Sequence, residues 1–384
     1  MPISTDVTAV GLNPERWQAV LDQAARWCDA DELPAIAVTV GNSQADSGVH
    51  LFGRQCLADD TPTIRDDAIF LIASITKPIV ATGVLMLIER GLLSLGDRVN
   101  GIIPEFGGTG RYAITLRHLL THTSGLPDML PNNRKLRVDQ KPLSAFVEGT
   151  CAVTPDFQPG HGVQYQSMGF ALLGEIITRV TGKSCATFLQ DELFQPLGLT
   201  DTVLGTPDDW YEGDEPKIDR IAELRVPPEQ REIEPGDPAD WGWNSRYWRS
   251  LGAPWGGLLT TPADLARLAR LWLCEGTLDG KRILSPAGVR SATRNQLAPM
   301  RDVPEQDRRC RPWGLSWRLN WPAHSANFGD FLGPRTYGHW GATGTALWID
   351  PDLDAYAIVL TTQPQEPHGT YLSRIANLIA AAFH

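Results

Sequence analysis

Ser74 and Lys77 stand three residues apart in the stretch LIASITKP, directly after the apolar run 68–73. A serine hydroxyl is a weak nucleophile until a base takes its proton, and an amine one turn further along a helix is placed to do that. The same spacing describes an ordinary helix start, with serine as N-cap and lysine at the surface. S-x-x-K is too short to choose between the two readings. Pro78 follows at once, and proline, lacking an N–H, fits only within about the first turn of a helix. Val80, Val84, Leu85, Leu87 and Ile88 predict that this helix runs to Gly91. Its start then falls close to Ser74, with the Ser and Lys Cβ atoms about 5 to 6 Å apart. The serine would sit where free N–H groups favour developing negative charge.

Other chemistries find no support. There is no G-x-S-x-G elbow and no H-E-x-x-H. His118 and His122 are four apart, but HLLTH lacks the glutamate, and a structural role is expected for both. TGKS at 181–184 resembles the tail of a phosphate loop, yet Ile177 stands where that loop needs glycine, so it reads as a helix cap. Cysteines 28, 56, 151, 185, 274 and 310 are scattered, with no metal-ligand clustering, so no metal or cofactor is expected. Tyr165, taken alone, reads more readily as a core tyrosine than as a catalytic one.

The elements that must position Ser74 and Lys77 can be traced by periodicity. Residues 14–28 carry a helical stripe of Trp17, Val20, Leu21, Ala24, Ala25 and Cys28. Strands are predicted at 34–42, 47–53 and 68–74 near the start, and at 313–320, 337–350 and 355–363 near the end, before a closing helix. Between them the chain is mostly helical, most clearly at 115–124, 168–182 and 261–276. Residues 206–257 are rich in Pro, Gly, acids and Trp and lack a period; their tryptophans 210, 241, 243, 248 and 255 could equally line a substrate pocket or pack a long loop. The fold class expected is α/β (α+β), with one antiparallel sheet built from both termini, flanked by helices, and a mostly helical insertion. The division expected is 1–88 with 301–384 as the sheet lobe and 89–300 as the helical lobe, together one catalytic unit.

The 384 residues are 42% apolar and 21% charged, with a net charge of −11. Such a surface disfavours nucleic acid and anionic membranes as partners. The most basic stretch, 131–141, is short and reads as a loop. No run is long enough to span a bilayer, and the opening residues lack the basic start and apolar core of a secretory signal. With dispersed cysteines, this predicts a cytoplasmic protein with reduced thiols. Oligomeric state is left open.

Four segments, in order, resemble the serine β-lactamase and penicillin-binding-protein-like family, in the branch holding class C β-lactamases, D-alanyl-D-alanine carboxypeptidases, D-aminopeptidases and family VIII-type esterases. They are SITK followed by LIERGLLSLGDRV, ITLRHLLTHTSGLP at 114–127, FQPGHGVQYQSMGFALLGEIITRVTG at 157–182 with LFQPLGLTDT at 193–202, and YGHWGATG at 337–344. The resemblance covers the chain from about residue 13 to its end. It implies a β-lactamase/transpeptidase-like fold, Ser74 as nucleophile, and Lys77 and Tyr165 as proton carriers, with Lys77 helping the phenol to ionise. It also implies Ser167 completing the hydrogen-bond network and the N–H groups of Ser74 and Ala342 forming an oxyanion hole. HWG stands where the family often has K-T-G; it is expected on a strand edge, with His339 and Gly341 beside the substrate. LRHLLTHTSGLP is expected to support the nucleophile helix.

His339 in place of lysine is a departure. A histidine with an ordinary pKa near 6.5 is mostly neutral at pH 7, which weakens recognition of a drug carboxylate. The resemblance therefore implies a serine hydrolase forming an acyl-enzyme on small esters or amides, with β-lactamase or D-amino-acid peptidase as the runner-up. A non-hydrolytic binding or scaffold member would need no intact Ser, Lys and Tyr.

Overall fold

The computed structural model describes residues 6–58, 62–226, 241–321, 327–364 and 369–384. Asn13 opens helix α1 (Pro14–Asp29), its side chain accepting the Arg16 N–H at 3.0 Å. The buried stripe is Trp17, Val20, Leu21, Ala24 and Trp27; Ala25 and Cys28, expected in it, lie at its margin because Trp27 fills that position. The strands are β1 (Ala35–Gly41), β2 (His50–Gly53), β3 (Phe70–Leu71), β4 (Val203–Leu204), β5 (Leu258–Thr260), β6 (Thr277–Leu278), β7 (Lys281–Arg282), β8 (Arg318–Leu319), β9 (Tyr337–Gly341), β10 (Thr345–Asp350) and β11 (Ala355–Thr361). Helices that frame the site are α2 (Thr76–Glu89), α3 (Leu116–Leu120), α4 (Met168–Thr181), α5 (Pro262–Leu273), α6 (Pro286–Ala292) and α7 (Thr370–Ala382).

The main sheet has the order β2-β1-β11-β10-β9-β8 with every neighbour antiparallel, so strands from both ends of the chain meet, Ile36 opposite Thr361. Both faces are covered, which is why β1 and β11 are buried throughout rather than alternating. Ile36, Val38, Val40, Ala357 and Val359 pack towards α1 and α7, whereas Ala35, Ala37, Ile358 and Leu360 join the larger core around α2 and α4. Residues 337–350 are two strands reversed at 342–344, where Gly344 takes φ +79°. The strand expected at 68–74 is only β3, in a separate sheet of order β3-β5-β4.

Helix α4 closes on Gly182 in the left-handed conformation, as its sequence predicts. Thr261 caps α5 by accepting the Asp264 N–H. The helix expected over 115–124 stops at Leu120, because His122 takes φ +58° and the chain turns. The basic stretch at 131–141 is no loop: it holds the helix Asn133–Val138. Arg137 from that helix is buried between Trp241 and Trp248, its guanidinium 4.9 and 4.4 Å from their ring centroids. Of the five tryptophans in 206–257, Trp210, Trp241, Trp248 and Trp255 are buried and Trp243 partly so, which places them in packing roles. Residues 227–240 of that segment lie outside the described residues. No described helix is long and apolar enough to cross a membrane.

The 253–257 turn is held against α4 by close approach. A Cβ on Gly174 would strike Pro254, 3.0 Å from its Cβ and nearer still to its Cγ. Gly174→Ala is therefore expected to lower stability by about 1 to 3 kcal/mol through overpacking. Urea denaturation measures this, and an unchanged midpoint would show that the turn yields freely.

Candidate active site

From Ala68 to Leu87 every residue is buried except Ser74. It sits in a short 3-10 turn, Ala73–Ile75, that leads into α2, so it precedes the helix rather than capping it. Ala73 before it takes φ +44°, a left-handed conformation that costs a non-glycine residue roughly 1 kcal/mol. The neighbours hold this turn from two sides. The Ile72 N–H donates to the Leu258 carbonyl at 3.1 Å, and the Leu258 N–H donates to Thr76 Oγ1 at 3.0 Å. On the other side the Thr343 hydroxyl donates to the Leu71 carbonyl at 2.7 Å, and that of Thr345 to Ile72 at 3.1 Å.

Lys77 has no exposed surface. Its Nζ lies 3.0 Å from Ser74 Oγ and 2.8 Å from the Trp255 carbonyl oxygen, and 4.8 Å from the centre of the Tyr165 ring. Burial pushes its pKa down from 10.5 to about 7; the negative charge of Asp128 opposes that shift. No carboxylate forms an ion pair with it among the described residues. Near neutral pH the amine is thus divided between two protonation states, and in its neutral state the lone pair can accept the Ser74 proton.

Tyr165 is partly exposed, and the Ser74 hydroxyl acts on its phenol so as to favour the ionised form. Burial raises its pKa, Asp128 adds to that, and the contact with Ser74 only partly offsets it. The resting phenol is accordingly neutral, which corrects the expectation that Lys77 would help it ionise. The 122–125 turn holds it in place. His122 Nδ1 accepts the Gln166 N–H at 3.1 Å, and the Gln164 N–H donates to the His122 carbonyl at 2.9 Å. The Ser124 hydroxyl donates to Gln166 Oε1 at 2.7 Å. The His122 ring stacks on Tyr165 at 4.7 Å. LRHLLTHTSGLP thus braces the tyrosine segment, whereas a brace for the nucleophile helix was expected. His118 caps α3, its Nδ1 accepting the Thr115 N–H. Ser167 turns away to donate to Asp128 Oδ1 at 2.6 Å, and so reaches the network through a carboxylate that motif reading had not singled out.

The HWG segment forms the end of β9. His339 has no exposed surface, and its Nδ1–H donates to the Trp340 carbonyl at 2.7 Å. Burial and then the charge of Lys77 push its pKa down to about 3, so it is a neutral ring. A direct substrate contact was expected of it; instead the partly exposed Trp340 lines the cleft. The two buried imidazoles are complementary: His122 accepts at Nδ1 and so carries its proton on Nε2, whereas His339 donates at Nδ1 and keeps a lone pair on Nε2. Neither Nε2 has a partner among the described residues. Gly341 was expected to leave room for substrate. The space its side chain would fill is already taken by the Ile72 carbonyl, Thr345 Oγ1 and, at 3.1 Å, Ala73 Cβ. That contact brings β9 against the serine turn, with Ala342 exposed just beyond. A cleft of about 620 Å³ adjoins Tyr165, lined by Val163, Trp313, Trp340, Arg311 and Arg318.

A family model described as Beta-lactamase matches residues 34–381. The chain is 31% identical over 305 residues to penicillin-binding protein 4 of Amycolatopsis lactamdurans, across 78% of this chain and 73% of that one. It is 35% identical over 220 residues to esterase EstB of Burkholderia gladioli, across 52% and 54% of the two chains. Among solved structures, a penicillin-binding protein homolog from Caulobacter crescentus matches with a TM-score of 0.75 and 23% identity, covering 97% of this chain and 99% of that one.

The buried amine has a signature in stability. Between pH 7 and 10.5 the unfolded chain holds a proton on Lys77 that the native state has released. Stability therefore rises with pH through that window, and below it the group imposes a constant destabilisation. Lys77→Met should remove this contribution, flattening the wild-type slope by about 1.4 kcal/mol per pH unit. Denaturation curves at pH 7.5, 8.5 and 9.5 provide the check, and parallel slopes in the two proteins would mean that Lys77 keeps an ordinary pKa.

Proposed function

The chain belongs to the β-lactamase family and is a serine hydrolase with a β-lactamase/transpeptidase-like fold, and we propose that it cleaves small carboxylic esters or amides through an acyl-enzyme on Ser74. The observation that carries this reading is the buried Lys77 amine 3.0 Å from Ser74 Oγ, its pKa near 7. Neutral Lys77 takes the hydroxyl proton as Ser74 attacks the carbonyl carbon. The N–H groups of Ser74 and Ala342 hold the resulting oxyanion; one such donor is worth about 3 to 4 kcal/mol. Tyr165, neutral and beside both groups, relays the proton from Lys77 to the leaving oxygen or nitrogen. In the second half water attacks the acyl carbonyl, its proton returns through the same groups, and the acid departs from Ser74.

Uncharged acyl groups are favoured by the cleft wall. His339 supplies no cation, and Trp313, Trp340 and Val163 offer apolar surface beside Tyr165. The likeness to esterase EstB supports the same choice. One observation favours a second reading, a β-lactam or D-amino-acid peptide with a free carboxylate: Arg311 also lines the cleft, its only ion pair among the described residues a 3.6 Å contact with Asp307. The reaction requires only a small-molecule partner. That no disulfide joins any of the six cysteines among the described residues supports a reducing, cytoplasmic setting.

Ser74→Ala should abolish turnover of p-nitrophenyl butyrate while leaving the melting curve unchanged, and persistent turnover would exclude this nucleophile. Tyr165→Phe should lower kcat by about a hundredfold or more, the usual scale for a lost proton carrier. In the wild type, kcat/KM should rise through a limb near pH 7 as Lys77 loses its proton. A chromogenic cephalosporin assayed beside the ester separates the two readings: greater kcat/KM for the ester is expected, and the reverse, abolished by Arg311→Ala, would establish carboxylate recognition.

A further inference from the structure

Residues 312–319 form a wall with two sides. Trp313 and Arg318 face the cleft at Tyr165, whereas Pro312 and Leu319 face a second cavity of about 900 Å³ bounded by α5, α6 and the start of β9. Among the described residues, Arg290, Arg294, Arg308, Arg309 and Arg335 line this second cavity, against only two carboxylates, Glu275 and Glu305. In a chain of net charge −11 that is a local reversal of sign.

Three of the five arginines are balanced. Arg290 pairs with Glu275 at 3.4 Å, Arg309 with Glu305 at 3.5 Å, and Arg335 with Asp352. Arg294 and Arg308 pair with no carboxylate among the described residues. Arg308 reaches the Ala298 carbonyl at 3.4 Å, and its Nε is buried without a partner among the described residues. Arg294 bears instead on another cation, Arg117, whose pKa is lowered by burial and then by the charge of Arg294. Deeper in the same cavity Asn320 is 5% exposed; its amide donates to the Leu332 and Gly333 carbonyls at 2.9 and 3.0 Å. That leaves Asn320 Oδ1 buried with no donor among the described residues. Trp272, Leu319 and Tyr337 supply the apolar floor.

Two guanidinium groups without a counter-charge call for an anion, and forked N–H donors suit carboxylate and phosphate oxygens alike. The orphaned acceptor calls for a hydroxyl or amine on the same ligand. We propose that this cavity is a second binding site, separate from the Ser74 cleft, for a small organic anion with at least two acidic groups and a hydroxyl. The acidic groups meet Arg294 and Arg308, the hydroxyl donates to Asn320 Oδ1, and the carbon skeleton lies on the aromatic floor.

The test is isothermal titration of the full chain with citrate and, separately, 3-phosphoglycerate, against sodium chloride at matched ionic strength. Each probe carries a hydroxyl and at least two acidic groups, and the tighter of the two assigns the acid class. A saturable one-to-one heat is expected with Kd below about 1 mM. In Arg294→Ala/Arg308→Ala it should weaken by about tenfold or more, and in Arg311→Ala, on the catalytic cleft, it should not change. Arg294 is exposed, so Arg294→Ala alone serves should the double variant fail to fold. Heats that do not saturate, or equal affinity in the Arg294 variants, would overturn the site. Loss of binding in Arg311→Ala would overturn it too, by placing the anion in the Ser74 cleft.

Discussion

An amine removed from water is the constraint around which the rest of this structure is arranged. Burying an ammonium ion is costly, and the usual remedy is a carboxylate partner. A carboxylate beside Lys77 would lift its pKa and lock the proton in place. The chain instead surrounds the amine with neutral groups, the Trp255 carbonyl, the Ser74 hydroxyl and the faces of Tyr165 and Phe170. Among the described residues the one carboxylate that acts on it, Asp128, is exposed and acts at a distance. Lys77 is thereby left close to its titration point, the condition a general base requires.

The same constraint explains why so much distant chain is committed to this site. The Trp255 carbonyl must stay aimed at Lys77, so the turn that carries it is wedged against Gly174 of α4 and its tryptophan packs on Phe146 and Trp248. Arg137 lies against Trp248 in turn, which extends the brace to the 133–138 helix. The serine turn carries left-handed strain at Ala73, and the β5 ladder, Thr343 of the β9–β10 turn and Thr345 at the start of β10 hold it there. The threonine contacts link the two sheets through the backbone carbonyls of residues 71 and 72.

Neutrality recurs among the other titratable groups nearby. Tyr165 is held as a phenol, and His122 and His339 are both pushed far towards the neutral ring by burial and by Lys77. A second cation here would oppose the protonated lysine that forms on the proposed mechanism. Substituting His339 for a lysine at the β9 position removes one such charge and, on the proposed reading, shifts selectivity towards uncharged acyl groups.

Much of this was legible in the residue string. Local rules suffice for α1, α4 and α5, since their caps (Asn13, Gly182, Thr261) and apolar stripes act within a few residues. The antiparallel sheet from both ends follows from where the β-branched runs lie. The candidate residues Ser74, Lys77 and Tyr165 are picked out by motif because each sits in a short segment of specific spacing. Tertiary structure alone decided how these groups are held. That Lys77 is fully buried, that Asp128 tunes it, that Trp255 offers a carbonyl from 178 residues away, and that Thr343 and Thr345 clamp the serine turn are facts of long-range packing with no local signature. The same holds for His339, whose side-chain type is plain but whose burial and neutrality depend on Trp313, Tyr165 and Lys77 arriving from elsewhere in the chain. Short-range preference writes the elements; desolvation, which depends on everything nearby at once, sets the chemistry.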